Sequence, residues 1–449
     1  MRIAAQKLAF AASSRLTDFF PVFGARLLDA SLRPVLGSRT LAAVFTRRNR
    51  AIMQRVKGFG RFLVIPDIHI GDSVLTQPAL TAVRDFFPDA EVDYVVNAAV
   101  APLIEGHPDA TRVLPVFTGG GFPSPADVAA LREIVRMGRY DLCLSFSSLL
   151  EPEEQADAAQ PIVTVMSRGA TIVRNESDPA QINHFSYQDY LFVRDVLSMV
   201  ARPVRDERYV GTRTTCSDEA IEGARRFAAE AGLGSGAPVV MFNPDGASPF
   251  TMMPLASQVA LLGAIVRDTS ADTTILVGAG HTAAGSGQRL VGDLQDPLRA
   301  RVRIVPPSVP LDVYAALIDL ADVFITGDTG PLHLAAARRY PRSGSHRFRN
   351  RTAVLSFFGA TMPRMSGYDS SRPGYLPANQ DAPSWCIQTG ARCHNLTCLN
   401  KLYKTCREVR CFDRLDVAAM AHVVVSYLAG LAGSAPAIPQ ALAPVRAPA

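Results

Sequence analysis

At 449 residues with 48% hydrophobic content, the chain is long enough for two domains with separate cores. A net charge of +5 is too modest to argue for nucleic acid, and no nucleic-acid-binding motif or aromatic RNA platform stands in the chain. No apolar run reaches the roughly 18 to 20 residues that span a bilayer, so an ordinary soluble α/β protein is expected.

The charge is uneven. Residues 1–50 hold nine Arg or Lys against two acids, Asp18 and Asp29. The stretch lacks the long apolar core and small-residue cleavage pattern of a signal peptide. Residues 1–60 therefore read as a basic, amphipathic extension, suited either to an anionic membrane surface or to a solvated packing role. Arg61 to Pro66 is the first strand, and a loop from Asp67 to Asp72 leads into a helix over about Val74 to Phe87. Strands follow at Glu91 to Val96 and Arg112 to Val116, with a helical turn at Pro102 to Gly106 between them. Gly119 to Gly121 form a flexible loop without the G-x-G-x-x-G spacing of a dinucleotide fingerprint. A helix over Ala126 to Met137 precedes a strand at Leu142 to Phe146. Weaker strands are expected at Ile162 to Val165 and Thr171 to Val173, then a helix over Tyr187 to Val200 and a linker to Thr215.

The second half restarts the alternation. Ser217 to Ala231 is a helix with a serine N-cap and early acids. Strands are expected at Pro238 to Phe242, Thr273 to Val277, Val302 to Ile304, Val323 to Ile325 and Thr352 to Phe358. Helices lie between them at Leu255 to Asp268, Ser286 to Leu294 and Leu311 to Ala321, with another opening at Pro331. Two successive β/α halves imply two doubly wound, Rossmann-like domains facing across a cleft, over residues 61–215 and 216–433. The Ala/Pro-rich residues 434–449 read as a disordered tail.

Ligands of open α/β sheets sit beyond the carboxyl ends of the strands, where Asp72, Asn243, His281 and Asp328 fall. In Ala321 to Ala337, ADVFITGDTGPLHLAAA, a short buried strand runs through a tight turn into a helix. Thr329 or Gly330 is the N-cap and Pro331 sits in the first turn. Such a helix start offers backbone N–H groups to an anion. Thr329 adds a hydroxyl, Gly330 permits close approach, and His333 points back toward the same mouth. A plain capped strand-to-helix turn is the other reading. Five of the seven cysteines fall in residues 386–411 without the paired spacing of zinc ribbons. They read as free thiols, an occasional disulfide, or a metal site joined by His394. Arg338, Arg339 and the arginines up to Arg351 read as a basic, solvated insertion, or one that meets a phosphorylated acceptor or lipid.

The Asp328–His333 stretch, D-T-G-P-L-H, resembles the D-T-G-P-x-H signature of bacterial family 9 glycosyltransferases, the ADP-heptose:lipopolysaccharide heptosyltransferases. Phe62 to Leu80, FLVIPDIHIGDSVLTQPAL, is similar to that family's opening strand and its G-D-x-(V/L)-L-T-x-P-A-L block, and the likeness runs over roughly Arg61 to Leu428. The resemblance implies a GT-B fold and transfer of a sugar, heptose, from an ADP-linked donor to a cell-envelope glycan such as lipopolysaccharide core. It also implies inversion and a cytoplasmic enzyme, peripheral on the membrane if the basic arm binds there. Such transfer needs a base for the acceptor hydroxyl and positive potential for the leaving diphosphate. No D-x-D triplet stands in the chain to hold a metal, so neither metal nor other cofactor is expected. By resemblance, Asp72 is the base. Gly71, Asn243, Ser248, Thr251, His281, Asp328, Thr329, Gly330 and His333 are donor contacts, and Asp67 and His69 serve the acceptor. Asn243 to Ser248 resembles the family's N-P-G-A-(S/G) loop with Asp245 inserted. The family continues with Lys-x-Trp-Pro, whereas this chain has Thr251-Met252-Met253-Pro254. With no Lys or Arg between Arg226 and Arg267, the donor contact made by that lysine falls to a residue elsewhere, such as Arg364, or is lost. An epimerase of the same fold and a non-catalytic sugar-nucleotide-binding protein are the alternatives.

Overall fold

The computed structural model describes residues 49–67, 69–118, 123–146, 162–164, 182–234, 236–246, 250–279, 285–341, 350–359, 361, 363–389 and 410–431. The chain divides into two compact units, Met1–Arg213 and Thr214–Ala449.

In the first unit, strands β1 (Arg61–Ile65), β2 (Glu91–Asn97), β3 (Arg112–Phe117), β4 (Leu142–Ser145) and β5 (Ile162–Thr164) form one parallel sheet in the order β3-β2-β1-β4-β5. A parallel sheet is covered on both faces, so its strands read as unbroken apolar runs rather than alternating ones. Phe62 to Ile65 are accordingly all buried. Helices α1 (Ile70–Leu75), α2 (Pro78–Phe86), α3 (Ala101–Ile104), α4 (Pro125–Gly138) and α5 (Phe185–Leu197) connect and cover the strands. Helix α5 packs along α2. Buried Asp85 of α2 joins them, accepting from Tyr190 Oη at 2.6 Å and Arg194 Nη1 at 2.8 Å.

One difference from the expected elements bears on the site. The single helix expected over Val74 to Phe87 is two helices, and the first opens at Ile70 rather than at Val74. The division falls at Pro78, which has no N–H to give to the Val74 carbonyl. Gln77 N closes onto that carbonyl instead, at 3.3 Å, and Gln77 caps the next helix.

In the second unit the chain runs α6 (Asp218–Glu230), β6 (Val239–Asn243), α7 (Leu255–Asp268), β7 (Thr274–Gly278), α8 (Ser286–Asp293), α9 (Asp296–Arg299), β8 (Val302–Val305), α10 (Leu311–Leu320), β9 (Val323–Gly327), α11 (Gly330–Ala336), β10 (Ala353–Phe358), α12 (Pro363–Ser366), β11 (Ser384–Gln388) and α13 (Val417–Leu431). Ser217 caps α6 by accepting from Ala220 N at 3.1 Å. The sheet is again parallel, in the order β11-β10-β9-β6-β7-β8. Its core gathers Phe242, Val277, Ile325 and Leu355 from the strands with Leu261 and Ile265 of α7 and Met420 and Val424 of α13.

One expectation is corrected here. Arg339 is not part of a solvated insertion: its side chain is fully buried and its Nε meets Asp319 Oδ2 at 3.0 Å. Cys386 lies buried within β11, where burial pushes its thiol pKa up. Cys386 and Cys411 are free thiols, while Cys393, Cys398 and Cys406 lie outside the described residues. So do residues 1–48, the strand expected at Thr171 to Val173, Arg342 to Arg349, and the tail.

Candidate functional site

Each sheet has one place where the strand order reverses, with successive strands running off in opposite directions. In the first unit this point lies between β1 and β4, and in the second between β6 and β9. Chain leaving such neighbours turns to opposite faces and opens a crevice at the carboxyl ends.

In the first unit α1 follows β1 at this point. Asp72 is the third residue of α1, half-buried, with Gly71 buried beside it. The mount is firm. The Asp72 carbonyl accepts from Thr76 N at 3.0 Å. The carbonyl of the next residue, Ser73, accepts from the buried Tyr94 Oη at 2.6 Å. Thr76 Oγ1 in turn donates to Asp189 Oδ2 of α5 at 3.2 Å. The first turn of α1 is thus tied to β2 and its end to α5. Asp67 is half-buried and His69 exposed. His69 is the N-cap of α1 through its backbone only, without a side-chain cap hydrogen bond.

In the second unit β6 ends at Asn243 and β9 at Gly327, side by side in parallel register, with Asn243 opposite Thr326. Asn243 Nδ2 donates to Thr326 Oγ1 at 3.0 Å and to the Asp245 carbonyl at 3.0 Å. Thr326 Oγ1 lies 3.0 Å from Thr329 Oγ1. Tyr314 of α10, half-buried, donates to Asn243 Oδ1 at 3.5 Å. Burial pushes the Tyr314 hydroxyl pKa above its usual range, with Asp245 adding to the effect. An amide, two hydroxyls and a phenol therefore form one connected polar group at the mouth of the crevice. Thr326 and Tyr314 were not among the residues singled out from sequence. Thr326 reads there as an ordinary strand residue, and Tyr314 reaches the site from a separate helix.

The backbone comes close at the same place. A Cβ on Gly327 would collide with the Thr251 carbonyl and stand 3.0 Å from the Phe357 ring. Residue 251 thus lies against the turn that holds Asp328 and Thr329. Thr329 is the N-cap of α11, as the sequence suggests, but its side chain makes no cap hydrogen bond because it faces the Thr326–Asn243 group. His333 is buried in α11 rather than open at the mouth. Its Nδ1 lies 3.1 Å from Tyr368 Oη, with the two rings edge to face. Ser248 and His281 lie outside the described residues.

Residues 212–344 match the family model for glycosyltransferase family 9 (heptosyltransferase). No curated protein matches the chain. Among solved structures, the chain is similar to the glycosyl transferase family 9 from Veillonella parvula DSM 2008, with a TM-score of 0.56 at 16% identity, covering 83% of this chain and 97% of that one. It is also similar to the E. coli ADP-heptose lps heptosyltransferase II, with a TM-score of 0.51 at 18% identity, covering 73% and 90% respectively.

Proposed function

Because residues 212–344 match the family model for glycosyltransferase family 9 and the chain has a GT-B fold, we propose that the protein is an inverting, metal-independent transferase. In this reading it moves a heptose from ADP to a cell-envelope glycan such as lipopolysaccharide core. The observation that carries it is the Asn243–Thr326–Thr329 group at the reversal point of the second sheet, inside the residues that match the family.

The chemistry follows from named groups. Asp72 takes the proton of the acceptor hydroxyl as its oxygen attacks the anomeric carbon. The bond from that carbon to the diphosphate oxygen breaks on the opposite face, which inverts the configuration. The departing diphosphate carries the charge, and fixed donors stabilise it best because they need no reorganisation. The Thr329 hydroxyl and the backbone N–H of Gly330 are those donors, and Asn243, whose amide hydrogens go to Thr326 and the Asp245 carbonyl, holds the group beneath them. Asp328 and the Thr251 backbone shape the turn, and buried His333 holds α11 against Tyr368. Gly71 borders the donor at the head of α1, and Asp67 and His69 meet the acceptor. A lipid-linked acceptor suits a chain whose basic extension includes Arg50, Arg55 and Lys57, all exposed. Among the described residues no helix is long and apolar enough to cross a membrane.

The test is a transfer assay with ADP-, GDP- and UDP-sugars, run with and without a lipid-linked glycan acceptor and with and without chelator. Glycosylated acceptor of inverted configuration, formed equally in chelator, is expected. Conversion of the donor sugar without acceptor would instead mark an epimerase, and a strict need for divalent metal would overturn the mechanism.

A further inference from the structure

Helix α1, which carries Asp72, is only six residues long, and a helix of that length is marginal by itself. It does not run on into α2. The joint is made of tight turns, Gln77 N donating to the Val74 carbonyl at 3.3 Å and Ala79 N to the Thr76 carbonyl at 3.0 Å. The orientation of α1 therefore depends on contacts from outside the helix. We propose that Asp189, on α5, is a positioning residue for Asp72 and acts through the hydroxyl of Thr76. This rests on the reading of Asp72 as the base.

Three observations support it. First, Thr76 lies one hydrogen-bonded turn beyond Asp72. Its backbone is right-handed helical, and its N–H donates to the Asp72 carbonyl at 3.0 Å. Positions four apart in such a turn share a face, and helical side chains lean toward the N-terminus. The Thr76 side chain is thus on the Asp72 face of α1. Second, Thr76 Oγ1 donates to Asp189 Oδ2 at 3.2 Å, with both residues buried. A hydrogen bond to a carboxylate is of the stronger kind, and burial keeps water from replacing it.

Third, Asp189 stands on a helix that is fixed without Thr76. The N-cap His184 accepts from Ser186 N through Nδ1 at 3.3 Å, and Ser186 Oγ lies 2.7 Å from Tyr209 Oη. Tyr190 and Arg194 both bind Asp85 of α2. Asp189 is therefore a fixed point, and α1 is the element that it holds. Tyr94 holds the Ser73 carbonyl from β2, so α1 has one tether from the sheet and one from α5. With the second cut, α1 can turn about the first. A base works only within hydrogen-bond reach of the proton it takes, so such a turn costs rate while the Asp72 carboxylate stays in place in the sequence.

The experiment compares steady-state transfer kinetics, donor calorimetry and thermal unfolding on the full chain. Thr76→Val removes the hydroxyl and keeps the shape. It should lower kcat by about ten- to a hundred-fold, the effect of moving a reacting group by roughly 1 Å, with donor affinity unchanged. Thr76→Ser keeps the hydroxyl and should recover most of the loss. Asp189→Leu should lower kcat as Thr76→Val does, and the double variant should lose no more than the larger single loss, as expected for two residues acting through one contact. Wild-type kcat in Thr76→Val, or losses that multiply in the double variant, would overturn the proposal alone. So would a fall in donor affinity matching the fall in kcat, which would mark a general disturbance of the fold. Wild-type kcat in Asp72→Asn, assayed beside them, would remove the base reading and this proposal together.

Discussion

Replacing Asp72 by asparagine is expected to lower kcat by about a hundred- to ten-thousand-fold, the contribution of a positioned general base, with donor affinity unchanged. Asparagine keeps the size and the acceptor oxygen of the side chain but cannot take the acceptor's proton. The anchors at Ser73 and Thr76 should keep the backbone of α1 in place. Tyr94 holds the Ser73 carbonyl, and Thr76 binds both the Asp72 carbonyl and Asp189. Steady-state transfer kinetics and donor calorimetry on the same preparation check this. Retained kcat would exclude Asp72 as the base. A parallel loss of donor binding would mark a structural role instead.

Replacing Arg339 by methionine should lower the stability of the second unit by about 3–5 kcal/mol, the usual result of removing one partner of a buried pair. The Arg339 side chain is fully buried. Its Nη1 donates to Leu334 O at 2.8 Å, Ala337 O at 3.2 Å and Thr214 Oγ1, and Nη2 donates to Ala315 O at 3.3 Å. It therefore ties the end of α11 to α10 and to the first residue of the unit. Without it, Asp319 stays largely buried without its cation, the Leu334 carbonyl loses the Arg339 hydrogen bond, and the Ala337 carbonyl keeps only Gln380 Nε2. The first turn of that helix holds the D-T-G-P residues, so donor affinity should weaken alongside stability. Scanning calorimetry should register a downward shift of roughly 6–20 °C in the unit's transition. The double replacement of Arg339 and Asp319 by apolar residues should recover much of it, because a buried pair exchanged for packed apolar groups is often close to neutral. A shift of less than about 2 °C for Arg339→Met would show that these hydrogen bonds contribute little net stability.

The parallel sheets were legible because a strand buried on both faces leaves an apolar run that no other element matches at that length. Phe62 to Ile65 and Val323 to Ile325 are such runs. The two reversal points follow from the two β/α halves, and Asp72 and Asp328 could be placed near strand ends on that basis alone. Other features depend on contacts distant in sequence. Nothing local marks Arg339 as buried, since its partners Asp319 and Ala315 belong to another helix. The early start of α1 was hidden because Ile70 and Gly71 carry no helical periodicity and His69 caps through its backbone. Strand β11 contains Ser384 and Gln388 beside Trp385 and Ile387, so it reads as neither a core run nor an alternating one. The apolar helix α13 went unassigned because it is buried along much of its circumference against α7, and so lacks a clear polar stripe.

A crystal structure of the full chain with a bound nucleoside diphosphate tests the donor site most directly. Diphosphate oxygens are expected within about 2.7–3.2 Å of the backbone N–H groups at Thr329 and Gly330, with the Thr329 hydroxyl bordering them. A nucleotide seated at the carboxyl edge of the first unit's sheet, or away from both sheet reversal points, would contradict that placement.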